Sequence, residues 1–116
     1  MTTQLKPAYV EQGSVANLTA KPTVTAVIAT DSNWTATASG NLDANTTGYI
    51  EIQGRDFNQS DRVMIDLFYV STSITLANSQ VIRAQLGYNI PAGTRDVYVI
   101  KSNGNYFIKT NSLTHT

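Results

Sequence analysis

An antiparallel β-sandwich is the fold class this sequence predicts, and three observations predict it. About seven short runs alternate apolar and polar residues with a period of two, turn residues recur roughly every eight to twelve positions, and no stretch carries a convincing helical period. The chain has 116 residues, no cysteine and only 14% charged residues. Domains commonly hold about 100 to 150 residues, so this length fits one domain plus an arm. A sandwich of about 90 residues buries about 60 to 65% of its unfolded surface, enough to stand without metals or crosslinks. Without cysteine, disulfide stapling is excluded and the redox compartment stays open.

Eight basic and eight acidic residues cancel. They are scattered, so the electrostatic footprint of a nucleic-acid or anionic-lipid binder is missing. No apolar run nears the roughly eighteen residues of a membrane span, and neither nucleic acid nor membrane is an expected partner. The opening Met1-Thr2-Thr3-Gln4-Leu5-Lys6-Pro7 lacks the basic-then-apolar order of a signal peptide, which predicts synthesis in a cytoplasm. Thr, Asn and Ser are abundant, an uncharged polar skin found on secreted, surface and virion β-proteins.

Residues 1–21 have few large aliphatics and read as an extended arm. Fixing one backbone residue costs about 1 to 2 kcal/mol, so such an arm is held only where its own domain or a neighbouring subunit binds it. Residues 22–113 read as the sandwich and 114–116 as a tail. Pro22 opens a first strand, Thr23 to Ile28, at a position where its missing N–H does no harm. Ala29 to Asn45 is ambiguous, with Trp34 to Ala38 as a candidate short strand. Gly48 to Gln53 is a half-buried strand with Ile50 and Ile52 on its apolar face, Gly54 gives the chain freedom to turn, and Phe57 plugs the end of the core.

Arg62 to Val70 reads as the longest strand. With Asp66 facing water, Val63, Ile65 and Leu67 point inward, and Met64, Phe68 and Val70 outward. Ser71 to Leu76 is an edge strand, and Gln80 to Leu86 a strand with Ile82, Ala84 and Leu86 inward. Asp96 to Lys101 and Tyr106 to Thr110 pair across Asn103-Gly104, the preferred type I′ dipeptide. That turn sets Ile100 opposite Phe107 and Val99 opposite Ile108. Val97, Val99 and Ile108 then face the core, while Ile100 and Phe107 face out.

Four pieces in order carry a family resemblance: Pro22 leading the first strand, Gly54 with Phe57, Pro91 with Gly93, and Val97 with Val99. Across residues 22 to about 110 the chain resembles the IPT/TIG type of immunoglobulin-like domain. It departs from that pattern in the long segment from Ala29 to Asn45 and in the extra Leu86-Gly87-Tyr88-Asn89. The resemblance implies an immunoglobulin-like sandwich with a role in adhesion or assembly, and such domains are generally not enzymes.

The residues by themselves point the same way. His115 is the one histidine and there is no cysteine, so a His-based triad, a thiol nucleophile and a His-based metal site are not expected. The carboxylates Glu51, Asp56, Asp61, Asp66 and Asp96 read as solvated faces and turn caps ahead of a glycosidase pair. Asp31-Ser32-Asn33 and Asp43-Ala44-Asn45 have oxygen-rich spacing, but Asx turns explain them better than Ca²⁺. The Asn-x-Ser/Thr sequons at Asn17, Asn33, Asn45 and Asn58 follow from composition. No cofactor or metal is expected. Phe68, Tyr98, Ile100 and Phe107 form a candidate apolar contact patch. Leu5, Pro7, Tyr9, Val10 and Val15 are candidate contacts of the arm. Trp34 with Tyr49 and Tyr88 could stack on sugar rings, although a lone Trp in a small sandwich is more often core.

These readings join in one expectation: a non-enzymatic virion structural protein of a tailed phage, assembled in the host cytoplasm. Most simply it is a head decoration or cement protein, docking on other virion proteins, above all the major capsid protein, through its arm and one sandwich face, with a homo-oligomer possible. The alternative is a tail or fibre accessory domain that binds host-surface glycan or protein.

Overall fold

Period-two alternation builds eight strands and no helix among the described residues of the computed structural model, which are 22–116 except 68, 72, 88 and 89. The strands are β1 (Thr23–Thr30), β2 (Gly48–Arg55), β3 (Arg62–Ile65), β4 (Tyr69–Val70), β5 (Ser73–Asn78), β6 (Val81–Leu86), β7 (Gly93–Ile100) and β8 (Tyr106–His115). They form two antiparallel four-stranded sheets, ordered β1-β2-β6-β5 and β4-β3-β7-β8. With β1, β2, β6 and β5 as strands A, B, E and D, and β3, β7 and β8 as C, F and G, this is the immunoglobulin constant-type order, with β4 added beside C.

The core lies between the sheets. Val24, Ile50, Ile52, Ile82, Ala84 and Leu86 of the first sheet meet Val63, Ile65, Val97, Val99 and Leu113 of the second, and Phe57 is fully buried at one end. Each of these strands offers alternate residues to the core, as a half-buried sheet requires. Gly54 serves a different purpose from the expected turn. It lies inside β2, and a Cβ there would sit 1.8 Å from the carbonyl oxygen of Thr23, so glycine is needed for close approach of two backbones. The turn itself falls on Asp56, at φ 63°.

Two expectations fail at the second sheet. The run from Arg62 to Val70 is a hairpin: Asp66 and Leu67 both adopt φ 55°, and Ile65 pairs with Tyr69. Leu67 is therefore 55% exposed at the tip and not in the core. The β7–β8 register is one residue away from the predicted one, with Ile100 opposite Tyr106, Val99 opposite Phe107 and Tyr98 opposite Ile108. The loop holds three residues and not two. Gly104 donates its N–H to Lys101 O, Lys101 donates to Asn105 O, and Gly104 carries φ 95°. That is a turn closed by a left-handed glycine, the common three-residue hairpin. A slip of one residue exchanges faces, so Phe107 packs against the core and Ile108 turns outward. The last strand also runs on from Thr110 to His115. Trp34 to Ala38 is a loop, joined to β1 by one bridge from Thr30 to Ala36.

Candidate functional site: the outer face of the second sheet

Side chains that alternate away from the core on β3, β7 and β8 form two rows across the second sheet. Arg62, Ile100 and Tyr106 stand opposite one another in the first row, and Met64, Tyr98 and Ile108 in the second. Leu67 leans in from the hairpin tip. Leu67, Tyr98, Ile100, Tyr106 and Ile108 line a shallow cradle of about 280 Å³. Leu67 is 55% and Tyr106 50% exposed, and these are the large apolar side chains left most open to water among the described residues. At half exposure each forgoes roughly half of the 1.5 to 3 kcal/mol that full burial of a large apolar side chain is worth.

A polar cleft of about 400 Å³ continues from the cradle across Ile100, lined by Ser60, Arg62, Lys101, Ser102 and Gly104. The two charges in it differ in kind. Lys101 is buried: its Nζ donates to the backbone carbonyl of Asp56 and to both carboxylate oxygens of Asp61, at 3.3 and 3.2 Å. Side-chain exposure of the pair is 1% and 0%. Burial pushes the Asp61 carboxyl above its ordinary 3.8, against the pull of the Asn58 N–H and of Lys101. Arg62 is exposed and has no hydrogen-bond or ion-pair partner among the described residues. An apolar cradle with one free cation at its rim suits an extended chain that carries a carboxylate beside bulky side chains.

Of the predicted patch, the structure brings Tyr98 and Ile100 together and turns Phe107 away. Phe68 lies outside the described residues, as do Leu5, Pro7, Tyr9, Val10 and Val15 of the arm. Ile108, Tyr106 and Leu67 join the face in their place. The alternation read from the sequence contained Ile108 but put it on the wrong side, because the loop length sets the register.

Trp34 lies outside the core, on the outer face of the first sheet. Its ring meets Tyr49 edge to face at 5.4 Å, and the Arg83 guanidinium sits 5.8 Å from its centre. Arg83 also pairs with Glu51 at 3.3 Å. Trp34 takes φ 62°, unusual for a bulky residue. Asp31 holds it there: its backbone carbonyl accepts from Trp34 N–H, and its side chain accepts from the N–H groups of Asn33 and Thr35. Tyr88, the third predicted aromatic, lies outside the described residues.

No protein-family model and no curated protein matches this chain.

Proposed function

We propose that this protein is a non-enzymatic structural module that docks on protein neighbours in a virion, as a decoration or cement protein of a tailed-phage head. The observation that carries this reading is the apolar outer face of β3, β7 and β8. Contiguous apolar patches on a folded domain usually mark protein contacts, and here five large side chains and Arg62 share one face. The resemblance to domains of adhesion and assembly supports the same reading. On a capsid lattice, many identical copies turn a modest contact into firm attachment, because effective concentration replaces free concentration once one site is engaged.

The test is reconstitution. Particles assembled without this protein are incubated with the wild-type chain or with Leu67→Ser/Tyr106→Ser, and bound protein and the temperature of genome release are measured. Wild-type chain binds and raises that temperature, and the folded double variant binds at least about tenfold more weakly, as loss of two anchors implies. Equal binding by both chains removes this face from the docking surface. A second reading, glycan binding on a tail or fibre, draws on Trp34 and Tyr49, with Trp34 held at an unfavourable φ on a sheet face. Sound capsids that no longer adsorb to cells when the protein is deleted would favour it.

A further inference from the structure

The outer face of the second sheet carries an acid at one end and a base at the other, so the face is complementary to itself. This inference rests on the docking reading and concerns which protein covers the face. We propose that the cover is a second copy of this chain, stacked face to face about a two-fold axis over Tyr98, so that Arg62 of each copy meets Asp96 of the other.

Three observations carry the proposal. The first is the order of charge along the face. Val97 and Val99 are buried, so Asp96, Tyr98 and Ile100 alternate onto the outer side of β7. The irregularity in the β7–β8 pairing falls on β8, which passes from Lys109 to Leu113 while β7 passes only from Val97 to Arg95, so β7 keeps its alternation at Asp96. Arg62 stands opposite Ile100, four residues from Asp96 or about 13 Å along the strand. The two charges thus bracket the cradle.

The second is that neither charge has a counterion. Arg83, Arg95 and Lys101 each hold a carboxylate of their own, whereas Arg62 and Asp96 form no ion pair among the described residues. Asp96 Oδ1 accepts from Asn111 N–H, and its charge is otherwise left to an outside group.

The third is how the face maps onto itself. Tyr98 lies midway between Asp96 and Ile100, and a two-fold axis running across the strands at Tyr98 turns the face end for end. Asp96 of the second copy then lies over the row of Arg62 and Ile100. Its Ile100 lies over the Asp96 end, where Leu67 follows the Asp66 N–H that donates to Asp96 O. The run Asp96-Val97-Tyr98-Val99-Ile100 is itself an extended chain with a carboxylate beside bulky side chains, the partner chemistry that the cradle suits. The sideways offset between Arg62 and Asp96 is one strand spacing, about 4.8 Å, which an arginine side chain spans. Such an interface is isologous, so the contact forms twice. An axis along β7 would instead set Asp96 against Asp96, and like charges oppose that arrangement. β3, β7 and β8 present about 14 by 26 Å, on the order of 400 Å² per copy. A stable interface of standard size buries about 800 Å² per partner, so the pair is reversible in free solution. It becomes firm where a lattice holds copies side by side.

The test is sedimentation velocity on the full-length chain from about 1 µM to about 1 mM. The expected result is a reversible monomer–dimer equilibrium that weakens with added salt. Arg62→Glu and Asp96→Arg should each weaken it at least about tenfold. An equimolar mixture of these two single variants should associate as the wild type does, because each mixed dimer then contains two opposite-charge contacts. Asp96→Arg gives up the acceptor for Asn111 N–H; should that variant unfold, Asp96→Asn, which keeps an acceptor, replaces it and should also weaken the dimer. A chain that stays monomeric throughout, or a dimer indifferent to Arg62→Glu, overturns the proposal. Particle binding by Leu67→Ser/Tyr106→Ser reports on docking separately. A monomeric chain whose binding depends on those side chains overturns this inference and keeps the docking reading, and a charge-dependent dimer whose particle binding ignores them does the reverse.

Discussion

At the scale of single residues, the buried Lys101–Asp61 pair shows how polar groups are tolerated inside this sandwich. Three acceptor contacts saturate the ammonium, and the carboxylate also takes the Asn58 N–H, so both charges are hydrogen-bonded where water is excluded. Because the folded carboxyl titrates above 3.8, its favourable contribution is full below pH 3.8 and is lost as pH rises through the folded value. At neutral pH the ionised acid depends on Lys101. Lys101→Met is expected to cost about 3 to 5 kcal/mol at pH 7 by urea unfolding. The deficit relative to wild type should shrink as acidification protonates Asp61; a deficit of constant size down to pH 4 would contradict this account. Gly54 is the other sensitive residue. Gly54→Ala places a methyl against the Thr23 carbonyl and the Phe57 ring and should cost about 3 kcal/mol or more, read as a lowered urea midpoint with an unchanged slope.

At the scale of elements, two hairpins decide which residues the second sheet presents. The β3–β4 turn holds Leu67 at φ 55°, a conformation that Asn adopts more readily than Leu. Leu67→Asn should therefore leave stability unchanged or raise it by up to about 1 kcal/mol, while weakening docking. Such a trade is expected where an unfavourable conformation is retained for contact and not for folding; a clear loss of thermal stability would instead make Leu67 structural. The β7–β8 hairpin shows the limits of turn reading. Asn103-Gly104 correctly signalled a hairpin, but the dipeptide serves a two-residue or a three-residue loop, and the hydrophobic pattern Tyr106-Phe107-Ile108 fits either register. Packing decides between them: Phe107, the larger ring, goes to the core, and Ile108 to the outer face.

At the scale of the whole molecule, the C-terminal end of β8 closes the sandwich beside the start of β7. His115 is buried beside Gly93 and joined to Leu42 by a parallel bridge, and Leu42 N–H donates to Thr114 O. Its Nδ1 is buried without a hydrogen-bond partner among the described residues. Burial, aided by the charge of Arg95 and opposed by Asp66, holds its pKa below the ordinary 6.5. The unfolded chain thus takes up a proton that the folded one resists, so this contribution is present above pH 6.5 and is lost as pH falls through the folded value. Thermal unfolding should show a fall in Tm between pH 7 and about pH 5 that His115→Phe reduces. An identical pH profile for that variant would clear His115 of the effect.

The class of fold, the order of most strands and the inward faces of β2 and β6 were legible along the chain. These follow from period two and from turn residues, which are local and repeat along the chain. Ile50, Ile52, Ile82, Ala84 and Leu86 were all legible in that way, as was Phe57 as the plug. Tertiary structure decided the rest. The hairpin inside Arg62 to Val70 depends on positive φ at Asp66, a type that tolerates it, and at Leu67, a type that does not announce it. The Asp66 carboxylate holds it in place by accepting from Asp96 N–H and from Arg95, thirty and twenty-nine residues along the chain. The register of β8, and with it the membership of the exposed face, was set by how Phe107 and Ile108 compete for space against β3 and β7. Local pattern gives alternation, but only packing against distant strands assigns which half of the alternation meets water.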